Sequence, residues 1–324
     1  MILRQSPLEN RVDAGQPNTM RTAAFLLLLL VLLLGCKGDP ASSTAGRKLR
    51  IVATTGMIAD LARHIGGDSV EVLALMGPGV DPHLYKATQG DLARLRSADV
   101  VLYNGLHLEG KMGEVLEKLE QIKTVVPVSR GIEAGRLIDH PEYEGAYDPH
   151  IWFDVQLWAE ALDEVLATLI EAQPGNRSHF ARNAGAYRQE LAELHRWVRQ
   201  EVQKIPPGRR ILITAHDAFS YFGRAYDMEV RGLQGISTVS EFGLKDRVNL
   251  IDFIVERGIK AVFVETSVSQ KNIQAIVEGC RQKGHEVRIG GSLYSDAMGE
   301  PGGPAGEYTG MVRSNVNTIV NALN

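Results

Sequence analysis

Between residues 176 and 205 the chain carries one unbroken amphipathic helical pattern, and this limits its possible folds more than any other feature. Phe180, Ala184, Tyr187, Leu191, Leu194, Val198 and Val202 recur at spacings of three and four. That spacing lines them up along one face of a helix. At 1.5 Å per residue such a helix runs for roughly 45 Å, more than one small lobe across. Pro206-Pro207-Gly208 stops it, because proline has no amide hydrogen to donate and its ring clashes with the preceding turn.

On either side of this rod the pattern is different. "LRIVAT", "VEVLALM", "DVVLYNG" and "KTVVPVS" read as strands separated by the helical stretches "GMIADLARHIGG", "TQGDLARLRSA" and "EGKMGEVLEKLEQI". A Gly- and Pro-punctuated loop follows, up to "DPH" at 148–150. After the rod, "RRILITAH", "MEVRGLQ", "IKAVFVET" and "HEVRIGG" alternate with helical stretches, and a last helix covers about 306–323. Alternating strands and helices argue for parallel sheets covered on both faces. The chain's 324 residues, 44% hydrophobic, suit one large body or two lobes each with its own core. The expected fold is therefore α/β, with two lobes, each a mainly parallel sheet flanked by helices, joined by one long rigid helix. The divisions fall at 49–150 for the first lobe, 151–207 for the helical region and 208–324 for the second lobe. A single stiff connector allows less hinge motion than several flexible crossovers.

The beginning of the chain has its own signature. "MRTAAFLLLLLVLLLGCKG" starts at Met20, with Arg21 as its positive region and an apolar run over 23–34. The run is short of the about 20 apolar residues a spanning helix needs, and it reads as an export signal occupying 1–35, with Met20 the expected true start. Leu33-Leu34-Gly35-Cys36 resembles the cleavage box of bacterial lipoproteins, in which the cysteine becomes the new N-terminus and carries lipid. Residues 36–48 would then be the lipidated Cys36 and a small, polar tether. This reading places the mature protein outside the cytoplasm, anchored to a membrane. Only two cysteines are present, Cys36 and Cys280, so a disulfide framework is excluded. The net charge is −4 and the basic residues are scattered, which leaves no nucleic-acid footprint.

The chemistry lies with a few histidines. Two of the nine follow the same dipeptide, in Asp81-Pro82-His83 and Asp148-Pro149-His150. Proline fixes its own φ and biases the residue before it to an extended form, so each imidazole rides on a short stiff turn. His216 ends the strand "ILITAH", and ligands in open α/β sheets bind at the carboxyl ends of strands. Asp217 is placed to cap the following helix. Asp296 lies in the glycine-rich loop after "HEVRIGG", again beyond a strand's carboxyl end. Taken together, three imidazoles and a carboxylate suit a divalent transition metal. Taken singly, each has an ordinary explanation: a common tripeptide, a capping loop, a solvated loop aspartate.

"TTGMIADLARHIGGDSVEV", "GVDPHLY", "YNGLHLEGKM", "DPHIWFD", "TAHDAFSYFG" and "GSLYSDAMG" together resemble the metal-binding lipoproteins of bacterial ABC importers, the TroA-like and ZnuA-like cluster. The resemblance covers about 49–323. It implies two α/β lobes joined by one long helix, an extracytoplasmic protein that captures zinc or manganese, with iron third, and delivery to an ABC permease with its ATPase. It also implies the ligand set: His83 and His150 from the first lobe, His216 at a third position where some members carry glutamate, and Asp296 from the Ser-Asp-Ala motif. Dedicated zinc members often carry a long loop rich in His, Asp and Glu. Here His140 is the one histidine between His107 and His150, which argues against exclusive zinc service.

A ligating histidine usually gives its other ring nitrogen to a carboxylate or carbonyl. Asp81, Asp148, Asp217 and Glu265 are the candidates, and Glu265, ending "AVFVE", is expected beside the site. His64, His107, His179, His195 and His285 read as structural or solvated. The competing classes are a metal-dependent hydrolase and a metal-stabilised adhesin. Catalytic zinc sites usually keep three protein ligands and an open water position, and the chain has no HExxH motif. A non-enzymatic monomer is expected.

Overall fold

The computed structural model describes residues 47–140, 145–239 and 243–324. The expected export signal and Cys36 lie outside these residues. The described chain runs β1 (Leu49–Ala53), α1 (Gly56–Gly66), β2 (Val70–Ala74), α2 (Gln89–Ser97), β3 (Val100–Tyr103), α3 (Gly113–Glu120) and β4 (Thr124–Pro127). Two helices follow with no strand between them, α4 (Val155–Ala172) and α5 (Arg177–Val202). Then come β5 (Ile211–His216), α6 (Ser220–Tyr226), β6 (Glu229–Gln234), α7 (Leu244–Glu256), β7 (Ala261–Glu265), α8 (Lys271–Gln282), β8 (Arg288–Leu293) and α9 (Tyr308–Leu323).

The first four strands form one parallel sheet in the order β2-β1-β3-β4. The second lobe holds two parallel pairs, β5 with β6 and β7 with β8, and β5 lies beside β7. Successive side chains of a strand point to opposite faces, and the burial follows that rule. In β1, Leu49, Ile51 and Ala53 pack toward α1, whereas Val52 joins Leu95 and Leu116 on the other face. In the second lobe, Leu212, Ala261 and Phe263 face one way, and Ile213, Val262 and Val264 the other. Strands β5 and β7, buried along their whole length, are thus covered on two sides, as their continuous apolar runs require.

The inner faces of the two sheets do not have separate cores. Ile51 and Leu61 of the first lobe, Leu191, Leu194 and Val198 of α5, and Phe263 and Met311 of the second lobe belong to one continuous apolar cluster. The long helix is therefore a shared wall as well as a connector. It covers 26 residues, or roughly 39 Å, and is shorter than the sequence pattern because Pro174–Asn176 forms a 3-10 turn and Ile205 is buried in the turn after it. All seven apolar positions expected on its inner face are buried, together with His195. No helix among the described residues is long and apolar enough to cross a membrane.

Candidate metal centre

Four side chains meet where the carboxyl ends of the two lobes' strands face each other. One donor atom from each of His83, His150, His216 and Asp296 lies within 4.8 Å of all the others, and all four residues are buried. The Nε2 atoms of His83 and His150 are 3.3 Å apart. Asp296 Oδ1 is 3.4 Å from His150 Nε2, and its Oδ2 is 3.3 Å from His216 Nε2 and 4.0 Å from His83 Nε2. Both Asp296 oxygens and His216 Nε2 are buried without a hydrogen-bond partner among the described residues. Buried polar atoms are nearly always satisfied, so three such atoms in one cluster of potential ligands form a site that could hold a cation.

The repeated tripeptide has a common geometry. In each copy the aspartate accepts the histidine's backbone N–H, at 2.9 Å from Asp81 Oδ1 to His83 and at 2.9 Å from Asp148 Oδ1 to His150. The two turns then diverge. Asp148 Oδ1 also receives His150 Nδ1 at 2.7 Å, which leaves Nε2 free to face the centre. Asp81 instead spends its second oxygen on the hydroxyl of Thr238 at 2.7 Å, across the cleft. In the second lobe His216 Nδ1 donates to Glu265 Oε2 at 2.5 Å, and the same carboxylate accepts the His216 backbone N–H at 2.9 Å. Glu265 thus stands beside the site, where the sequence pattern places it.

Backbone anchors fix the remaining pieces. Asn104 Nδ2, just past β3, donates to the Pro149 carbonyl at 2.9 Å, and Tyr221 Oη on α6 donates to the Asp148 carbonyl at 2.9 Å. Tyr308 Oη donates to the Trp152 carbonyl at 2.6 Å, and Trp152 Nε1 donates to the Ser295 carbonyl at 3.0 Å. Asn315 clamps Tyr294 through both backbone groups, at 2.9 and 2.7 Å. Asp154 ends the motif "DPHIWFD" by accepting the amides of Gln156 and Leu157, so α4 begins directly behind the site. Sequence reasoning missed Asn104, Tyr221, Trp152, Tyr308 and Asn315 as supports. The hint available for Trp152, Tyr221 and Tyr308 was a polar tip on a ring otherwise suited to an apolar face.

The charges are set by neighbours working against burial. Burial pushes His83 down to about 3, and His150 and His216 push the same way against the pull of Asp296. Burial also opposes charge on His150, but Asp148 and Asp296 outweigh it and raise the imidazole to about 9. The same contest at His216 is won by Glu265 and Asp296, which hold it well above the ordinary histidine range. Burial would favour a neutral Asp296, yet His216 and His150 keep its carboxyl well below the usual carboxylate range. A cation bound here would take over the positive charge that protons supply, so binding would release protons and affinity would rise with pH.

Other expectations are corrected or absorbed. Asp217 does not cap a helix: α6 starts at Ser220 with Phe219 at the cap position. The Asp217 carboxylate accepts the Ser220 hydroxyl at 2.7 Å instead, because two more residues pass before helical geometry begins at Ser220. The Nδ1 atoms of His150 and His216 meet Asp148 and Glu265 rather than Asp217. His64 pairs with Asp60 and stacks on Tyr187, His195 Nδ1 lies 3.2 Å from Tyr226 Oη, and His285 Nε2 meets the Ile259 carbonyl. A cavity of about 570 Å³, lined by His107, His140, Lys111 and Tyr147, opens against His83, the one donor of the four that lines it.

A family profile described as zinc-uptake complex component A, periplasmic, matches residues 51–322. The manganese-binding lipoprotein MntA of Bacillus subtilis is 52% identical over 301 residues, covering 93% of this chain and 98% of that protein. The metal ABC transporter substrate-binding lipoprotein SloC of Streptococcus mutans is 28% identical over 311 residues, covering 94% and 99%. Among solved structures, the periplasmic zinc-binding protein TroA from Treponema pallidum superposes with a TM-score of 0.83 at 48% identity, covering 85% of this chain and 99% of that one.

Proposed function

Because the chain belongs to the family of periplasmic zinc-uptake component A proteins, which are transport components and not enzymes, we propose that it captures a divalent transition metal as cargo between its two lobes. It then hands the ion to an ABC-type metal importer, a permease driven by its ATPase. The observation that carries this reading is the convergence of the Nε2 atoms of His83, His150 and His216 on an Asp296 carboxylate whose oxygens are buried and unpartnered. His83, His150, His216 and Asp296 hold the ion. Asp148 and Glu265 fix the tautomers of the His150 and His216 rings, so that each offers a lone pair to the metal.

Zinc and manganese are both supported as cargo, with iron third. MntA is named for manganese and TroA for zinc. Three imidazoles suit zinc, and a carboxylate able to use both oxygens suits the larger, harder manganese. The usual divalent order makes zinc the tighter ion whichever is carried, so transport assigns the cargo and affinity does not. The four-donor set leaves little room for the open water position a hydrolase needs.

The names of MntA and SloC, both lipoproteins, support Cys36 as the lipid anchor, an export signal at 1–35 and a tether at 36–48. The working arrangement is a monomer outside the cytoplasm, with lobes at 49–150 and 208–324 and the helical region 151–207 between them. Elemental analysis of the purified full chain tests capture: one ion per chain is expected, and its loss in His150→Ala. Growth of a deletion strain in metal-poor medium tests delivery. An adhesin would hold the metal yet fail to rescue growth.

A further inference from the structure

Three of the four donors stand on a frame that is already locked. His150 is flanked by anchors from both lobes, His216 is the last residue of a fully buried strand, and Asp296 follows a segment clamped by Asn315 and Trp152. His83 is different. It rides on the loop between β2 and α2, whose neighbour Leu84 is half exposed. That loop lies against the second lobe: a Cβ on Gly79, whose φ is +70°, would sit 3.5 Å from the Thr266 carbonyl. The second lobe grips it through Thr238, whose hydroxyl donates to Asp81 Oδ2 at 2.7 Å while Asp81 Oδ1 holds the His83 backbone N–H at 2.9 Å. Ile236, Ser237 and Val239, the neighbours of Thr238, line the same cavity as His83. The chain Thr238–Asp81–His83 therefore crosses the cleft at its solvent side, next to the one donor that borders open space.

We propose that Thr238 is a positioning residue that latches the first-lobe ligand turn to the second lobe, so that breaking its hydrogen bond to Asp81 frees His83 and sets the rate at which the metal leaves. The inference rests on the metal-capture reading. A hydrogen bond to a charged group contributes enough that its loss changes an equilibrium by about tenfold or more. Because association requires only that the turn be able to reach the ion, the effect falls on dissociation.

The test is chelator-driven release of Zn²⁺ from the purified full chain, followed by stopped flow, in wild type, Thr238→Val and Thr238→Ser. Valine keeps the branched shape and removes the hydroxyl, and serine keeps the hydroxyl. The expected result is release faster by about tenfold or more in the valine variant and within about threefold of wild type in the serine variant. One ion per chain should accompany both. Wild-type release from Thr238→Val at full occupancy overturns the latch. So does faster release that serine fails to rescue. Should Thr238→Val fail to fold, Thr238→Ala is read by the same criteria. A wild-type protein that binds no stoichiometric Zn²⁺ or Mn²⁺ would instead sink the metal-capture reading.

Discussion

Glu265 holds His216 at two points at once, its Oε1 taking the backbone N–H at 2.9 Å and its Oε2 facing the ring Nδ1 at 2.5 Å. A carboxylate there forces the ring proton onto Nδ1 and leaves Nε2 as the atom proposed to bind the metal. Glu265→Gln offers an amide in its place, which can turn its NH₂ toward the ring and favour the wrong tautomer. The expected outcome is a loss of about 10- to 100-fold in metal affinity, read by competition with a chromogenic chelator. Affinity left intact would mean that the carboxylate does not set the ring.

Asp296 brings the only carboxylate of the donor set. Asp296→Asn keeps its size and removes its charge from between two imidazoles. Breaking a buried, charged pair is among the costliest substitutions, so metal affinity should fall by about a hundredfold or more. Stabilisation by a ligand grows as the logarithm of its concentration over its dissociation constant. Zinc should therefore raise the melting temperature of the wild type by more than that of the variant, and stripping the wild type with EDTA should reverse the rise.

Gly232 lies opposite Thr214 in the β5–β6 pair, and a Cβ there would stand 2.4 Å from the Asp217 amide nitrogen and 2.6 Å from the His216 carbonyl carbon. Backbone at both points cannot step aside as a flexible side chain would. Gly232→Ala should cost about 1–3 kcal/mol of stability and weaken metal binding by displacing His216. Gly135→Ala, where an added Cβ meets nothing within 4 Å, is the control and should change neither. Urea unfolding and chelator competition on the two proteins check the contrast.

His64 supplies a pH dependence away from the metal. Burial opposes its charge, but Asp60 outweighs this and raises the imidazole from 6.5 to about 8. A group whose folded value is raised contributes stability that is fully present below its unfolded value and is lost as pH rises through the folded one. The His64 contribution should therefore be complete below pH 6.5 and gone above about 8, and partial exposure keeps it below about 1 kcal/mol. In His64→Gln the difference in unfolding free energy between pH 6 and pH 9 should shrink by that amount.

The architecture was legible wherever local pattern carries the physics. Strand–helix alternation gave two parallel-sheet lobes, and the spacing of Phe180 through Val202 marked the inner face of the long helix. The repeated Asp-Pro-His pointed to two of the donors, and strand ends pointed to His216 and Asp296. The supports were hidden, because they are hydrogen bonds between residues distant in the chain. Trp152 and Ser295 are 143 positions apart, and Tyr308 and Trp152 are 156 apart, so no window of sequence contains both partners. Asp217 misled because a helix starts where the backbone permits, and an acidic residue after a strand does not reveal that. The alternation of strands and helices told that both sheet faces are covered but not that the inner faces share one cluster.

That shared cluster has a calorimetric consequence. With Leu191, Leu194 and Val198 belonging to the same packed interior as Ile51 on one side and Phe263 on the other, neither sheet can lose its inner packing while the other keeps it. Heating should give a single endotherm in which the van't Hoff and calorimetric enthalpies agree, despite two lobes in the architecture. An ion touching only the strand ends in the cleft then raises one melting event for the entire molecule, and cargo loading can be read from any probe of folding, including one placed on the face farthest from the metal.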